Sequence, residues 1–67
     1  MSEPKYPSVK AKLTGADGNA FSILGIVQKA MRRADVPDEE VSAFFDEATA
    51  GDYDHLLQTC MRWVDVA

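Results

Sequence analysis

The chain of 67 residues has a single cysteine, Cys60, so no internal disulfide can staple it. A small secreted domain usually leans on such bridges, and their absence points to a reducing cytoplasm. One cysteine and one histidine, His55, cannot supply the four ligands of a self-contained zinc site. Long apolar runs are missing too. The stretch Asn19–Gln28 is free of charge, but it falls short of the roughly 18 residues of a membrane span and contains Gly25. Glu3 and Pro4 stand where an export signal places basic and then apolar residues, so none is expected. Lysine and arginine are absent from Asp35 to Asp54, a window holding eight acids.

The content fits one domain. Residues 1–7 read as a flexible tail and 8–67 as a single small globular unit. A domain of this size buries about 60% of its unfolded surface, which leaves little margin in its core. Val9, Ala11 and Leu13 alternate with Lys10 and Lys12, the period of a half-buried strand. Gly15, Asp17, Gly18 and Asn19 form a turn, and Asp17 or Asn19 caps the helix that follows.

That helix carries Ala20, Ile23, Leu24, Val27, Ala30, Met31 and Ala34 on one stripe, with Phe21 and Ile26 outside it. It therefore reads as a central helix contacted on two sides, with Gly25 allowing a neighbouring backbone to come close. Pro37 separates it from a second helix with Asp38, Glu39 and Glu40 in the first turn and Val41, Phe44, Phe45 and Ala48 inward. Gly51 is placed just past that helix, and Asp52 caps a third with Tyr53, Leu56, Leu57, Cys60 and Met61 inward. Alternation resumes from Trp63 to Val66. The predicted fold is α+β and mostly helical, ordered β-α-α-α-β. Its two end strands form a short antiparallel sheet in which Lys10 or Lys12 faces Asp65.

The string Asp17-Gly18-Asn19-Ala20-Phe21, then Leu24-Gly25, then Gly51-Asp52-Tyr53-Asp54-His55-Leu56-Leu57, then Met61-Arg62-Trp63-Val64, resembles a family of very short proteins from bacteriophage and bacterial genomes. The likeness spans residues 9–66. It implies a phage or mobile-element origin, and it transfers no activity, ligand or catalytic residue.

Among chemistry-bearing residues, the acids come first. Glu39 and Asp46 are seven apart, as are Glu40 and Glu47, so both pairs are expected to project away from the Val41/Phe44/Phe45 stripe. The resulting ridge of Asp38, Glu39, Glu40, Asp46 and Glu47 is either a solvated helix face or a docking surface for a basic partner. Proteins that grip nucleic acid are such partners, as an anti-defence inhibitor would require.

The Asp17-Gly18-Asn19 turn lacks the Lys-Ser/Thr of a phosphate loop and the acids of a calcium loop. Together with Arg32, Arg33 and Arg62 it remains a candidate for a nucleotide-like ligand in a homo-oligomer. Cys60 lies about 140° around the helix from His55 at 100° per residue, which argues against a dyad. The Asp52–His55 segment reads as a helix start, so His55→Ala should spare activity. Trp63 is either an interface anchor or a lid on the core. No catalytic constellation, cofactor or metal is expected. The leading expectation is a non-enzymatic binder of a larger protein or complex with a basic surface. A net charge of −4 disfavours direct nucleic-acid binding, no membrane contact is expected, and the open sheet edges allow a homodimer.

Overall fold

The computed structural model describes residues 3–15 and 17–67. Strand β1 (Tyr6–Ala11) leads to α1 (Ala20–Arg33), α2 (Asp38–Ala48), α3 (Tyr53–Trp63) and β2 (Val64–Val66). The order matches the expected one, but the two strands run parallel, not antiparallel. Nothing local joins them. Their direction is set by the three-helix crossover, and a long helical crossover is what parallel neighbours require. Tyr6 pairs with Val64, Lys10 with Asp65 and Ala11 with Val66, so Pro7, Ser8 and Val9 form an irregular bulge. A proline sits well there, because it has no N–H for a ladder. Lys10 Nζ reaches Asp65 Oδ2 at 3.4 Å, the cross-strand pair expected for one of the two lysines.

Of the expected tail 1–7, Met1 and Ser2 lie outside the described residues. The strand begins two residues earlier than its alternation suggested, and Lys5 N–H already donates to the Arg62 carbonyl. Trp63 also changes element. It closes α3, and β2 follows without an intervening residue.

The helix ends show why these segments stop where they do. Asn19 caps α1 by accepting from Phe21 N–H, while Asp17 braces the cap by accepting from Asn19 N–H. At the other end Asp35 takes φ 62°, with Asp35 N–H donating to the Arg32 carbonyl and Val36 N–H to that of Met31. This is a Schellman closure in which aspartate replaces the usual glycine, and Met31 and Val36, the positions of its usual apolar contact, are both buried in the core. Pro37 precedes the first turn of α2, whose Asp38, Glu39 and Glu40 complement the helix dipole. Asp52 caps α3 through His55 N–H.

The core takes Val9 and Ala11 from β1 and Ile23, Leu24, Val27 and Met31 from α1. Val41, Phe44 and Ala48 of α2 meet Leu56, Cys60, Trp63 and Val64 from the far end. Burial pushes the Cys60 thiol up to about 11, so it stays protonated and unreactive at neutral pH. Several residues assigned inward are not buried: Phe45, Tyr53 and Met61 are exposed, and Thr59 fills a core position beside Cys60. Contact with β1, α2 and α3 makes α1 central, yet Phe21 on its other side is bare.

The two helix-associated glycines serve purposes other than those expected. Gly51 lies two residues beyond the Thr49 cap, and its role is to leave room for the His55 ring. Gly25 faces open space, with no atom within 4 Å of an added Cβ, so no backbone approaches it. Gly25→Ala should therefore stabilise the domain by about 1 kcal/mol through helix propensity alone. Thermal unfolding should show a midpoint raised by roughly 4–8 °C. A lowered midpoint would mean that this side of α1 is occupied.

Candidate functional site

The acidic helix divides into two sides. Glu40 is engaged: its Oε1 accepts from Tyr6 OH at 2.8 Å and pairs with Lys5 Nζ at 2.7 Å. Glu47 Oε2 accepts from Trp63 Nε1 at 3.0 Å and meets Arg62 Nη2 at 3.4 Å. These two carboxylates turn toward β1 and α3, where they tie α2 to its neighbours. The expected five-residue ridge is thus reduced to Asp38, Glu39 and Asp46, all exposed and, among the described residues, in no ion pair.

Trp63 lies beneath this junction. It is 7% exposed, meets Phe44 edge-on at 5.8 Å and Tyr6 in a stack at 6.2 Å, and carries Lys5 Nζ 4.6 Å from its ring centroid. It is a core lid and not an exposed anchor.

The Lys5 ammonium, with help from the Tyr6 hydroxyl, holds the Glu40 carboxyl below its ordinary value. The Glu40 hydrogen bond in turn holds Lys5 and Tyr6 above theirs. A carboxyl depressed on folding adds stability above its unfolded pKa and loses it as pH falls through the folded value. Stability should drop from about pH 4.5 downward, and Glu40→Gln should flatten that drop. Urea midpoints at pH 6 and pH 3 test this, and equal slopes in both proteins would contradict it. Lys5 and Tyr6 act in the opposite sense: their contribution holds below pH 10 and fades above it.

His55, at the third position of α3, has neither acid of its own turn as ring partner. Its Nε2 lies 2.8 Å from the Glu47 carbonyl and 3.4 Å from Thr59 Oγ1. The Glu47 carbonyl lies in the last turn of α2 and already accepts from Ala50 N–H at 3.2 Å, so the imidazole adds a second partner to it. The side chain is a clasp between α2 and α3.

The proposed nucleotide-type site does not assemble. Asp17-Gly18-Asn19 lies at the start of α1 and Arg32 and Arg33 at its end, about 20 Å away at 1.5 Å per residue. Arg62 is on α3 against Glu47. Two of the N–H donors there are already engaged, since those of Asn19 and Phe21 go to side-chain oxygens, and the Gly18 carbonyl accepts from Tyr53 OH at 2.6 Å.

What the fold does bring together is an α1/α2 groove made of two depressions in line, which share no bordering residue and of which the first is walled by α3 as well. At one end a cavity of about 260 Å³ is bounded by Phe21, Leu24, Ala48, Tyr53 and Leu56. One turn further along both helices, an open cleft of about 570 Å³ runs past Gln28, Arg32, Asp38, Val41 and Phe45. Among the described residues, three of the four large exposed apolar side chains border this line: Phe21 at 81%, Tyr53 at 46% and Phe45 at 38% exposure. Asp38 and Asp52 stand on its rim, with Arg32 opposite Asp38. For Phe21 the sequence does carry a signal, because the residue falls off the α1 stripe. Phe45 and Tyr53 keep perfect inward spacing and carry no such signal.

Among the described residues, no group of three His, Cys, Asp or Glu side chains stands close enough to hold a metal. No helix among them is long and apolar enough to cross a membrane. Comparison with family models, with curated proteins and with solved structures finds no match.

Proposed function

We propose that the chain is a non-enzymatic interaction protein that takes an amphipathic helix of a larger, basic partner into the α1/α2 groove. The carrying observation is the alignment of Phe21, Phe45 and Tyr53 along the two depressions of this groove, where among the described residues few other large apolar side chains are exposed. A contiguous apolar surface rimmed by polar groups is the usual mark of a protein interface. Helix-in-groove recognition needs an apolar channel between two rigid helices, and the partner's apolar side chains would enter at i, i+3/i+4 and i+7.

Charge supplies the partner's second property. Asp38 and Asp52 line the channel, and Glu39 and Asp46 add exposed negative charge on α2. Lysines and arginines flanking the partner's apolar stripe would meet them and be steered toward them. The acidic docking surface is therefore narrower than the full ridge, and it is coupled to an apolar seat. A partner from a host complex that handles nucleic acid would carry such basic helices, in keeping with a phage-type setting.

Phe21 makes a clean test, because a side chain this exposed can be replaced without touching the core. Phe21→Ser with Phe45→Ser should weaken binding of an isolated partner by about 30-fold or more, the scale of a lost hot spot. Asp38→Lys with Asp46→Lys should chiefly slow association and reduce its salt dependence. A partner held equally well by the double serine variant would refute the groove. Concentration-dependent self-association abolished by Phe21→Ser would instead assign the groove to a second copy.

A further inference from the structure

A second trough runs along β1 and shares no residue with the α1/α2 groove. Two adjoining cavities of about 320 and 260 Å³ have Lys10, Ala30 and Arg33 in common, so they form one channel. Consecutive β1 residues from both faces of the strand border it, and no residue of β2 does. This places it along the strand edge away from β2, with the flank of α1 as its other wall. We infer that this trough accepts an acidic, extended segment of a partner protein as a third strand on β1.

Backbone chemistry supports the first half of that statement. The sheet has two strands, so one edge of β1 offers N–H and C=O groups with no strand partner among the described residues. Pairing an extended peptide to such an edge, beside a helix whose side chains select alternate residues, is an established mode of recognition. Ala11, Ala30 and Ala34 line the trough and leave it depth. Pro7 has no N–H, which confines the addition to the stretch from Ser8 onward.

Charge selects the occupant. Lys10 and Lys12 stand on one wall, Lys29 and Arg33 on the other. Acids outnumber bases by eleven to seven in this chain, yet Lys12, Lys29 and Arg33 form no ion pair among the described residues. Lys10 has only the exposed 3.4 Å contact with Asp65. The molecule is 25 Å across and the screening length in physiological salt is about 8 Å, so the net charge of −4 does not cancel this local field. Nucleic acid fits less well: no aromatic side chain borders the trough for base stacking, and a phosphate chain has no use for a strand edge.

The test uses a labelled peptide alternating Glu and Val, about as long as β1, followed by anisotropy and by the amide shifts of Ser8–Lys12. Its controls are a Lys/Val peptide, the Glu/Val peptide N-methylated at alternate residues in either phase, and oligothymidylate. The Glu/Val peptide should bind and the Lys/Val peptide should not. One N-methylation phase should cost about tenfold or more in affinity. Lys12→Glu, Lys29→Glu and Arg33→Glu together should cost about as much and transfer the preference to the Lys/Val peptide. If that variant fails to fold, N-methylation on the native protein decides alone. No Glu/Val binding, or binding indifferent to both N-methylation phases, would overturn the inference. Tighter binding of oligothymidylate would overturn it too, and would make the trough a phosphate track.

Discussion

Trp63→Ala should remove roughly a third or more of the domain's stability at 25 °C. Truncating a buried tryptophan costs about 3–5 kcal/mol through lost transfer energy and the cavity left behind. A chain of this length commands a total of only about 3–10 kcal/mol at the usual per-residue stability. The indole contributes in several ways: it fills the space between Tyr6 and Phe44, donates to Glu47 and carries the Lys5 ammonium on its face. Its removal therefore loosens β1, α2 and α3 together. Circular dichroism in urea gives the readout, since Trp63 is the only tryptophan and its fluorescence disappears with it. A loss below about 1 kcal/mol would place it in the range of ordinary surface changes and contradict its role as lid.

Gly51→Ala should cost about 1–3 kcal/mol, the usual penalty for forcing extra carbon into a packed site. An added Cβ would fall 2.7 Å from His55 Cγ and 2.9 Å from its Cβ. Those atoms lie close to the α3 backbone, so the ring cannot simply swing aside. Any shift also pulls Nε2 from the Glu47 carbonyl, 2.8 Å away. In a His55→Ala background the ring contacts are gone but the 2.9 Å contact with the Cβ remains, so the same glycine replacement should cost clearly less without becoming neutral. A double-mutant cycle by urea unfolding isolates this coupling, and additive costs would refute it. Gly25→Ala is the counterpart, a glycine of the same chain whose replacement helps because nothing stands beside it.

These cases indicate how far the sequence could be read. Caps and stops are local chemistry, so Asn19, Pro37 and Asp52 marked the helix boundaries to within a residue or two, and the β-α-α-α-β order followed. Parallel pairing was not legible. It depends on how three helices pack between the strands, and no residue of either strand encodes it.

Side-chain partners at long range were equally hidden. A spacing of seven puts Glu40 and Glu47 on one side of α2, but only the packed structure says that this side meets Tyr6, Lys5 and Trp63. The stripe rule likewise ranked Phe45 with Phe44. Phe44 is fully buried while Phe45 borders the groove, because the cover that neighbouring helices provide ends between them. The cationic trough was split between β1 and the last two turns of α1, too far apart in the chain for charge patterning to join.

The direction of the end strands decides how the domain answers to mechanical load. Pulled at Tyr6 and Val66, parallel neighbours slide lengthwise past one another, and every bond between them bears tension at once. The opposite orientation would have put both grips at one end of the sheet, where the bonds would tear one after another like a zip. A tether of three β2 residues thus resists extension as a unit, guarding the helices behind it until it fails as a whole.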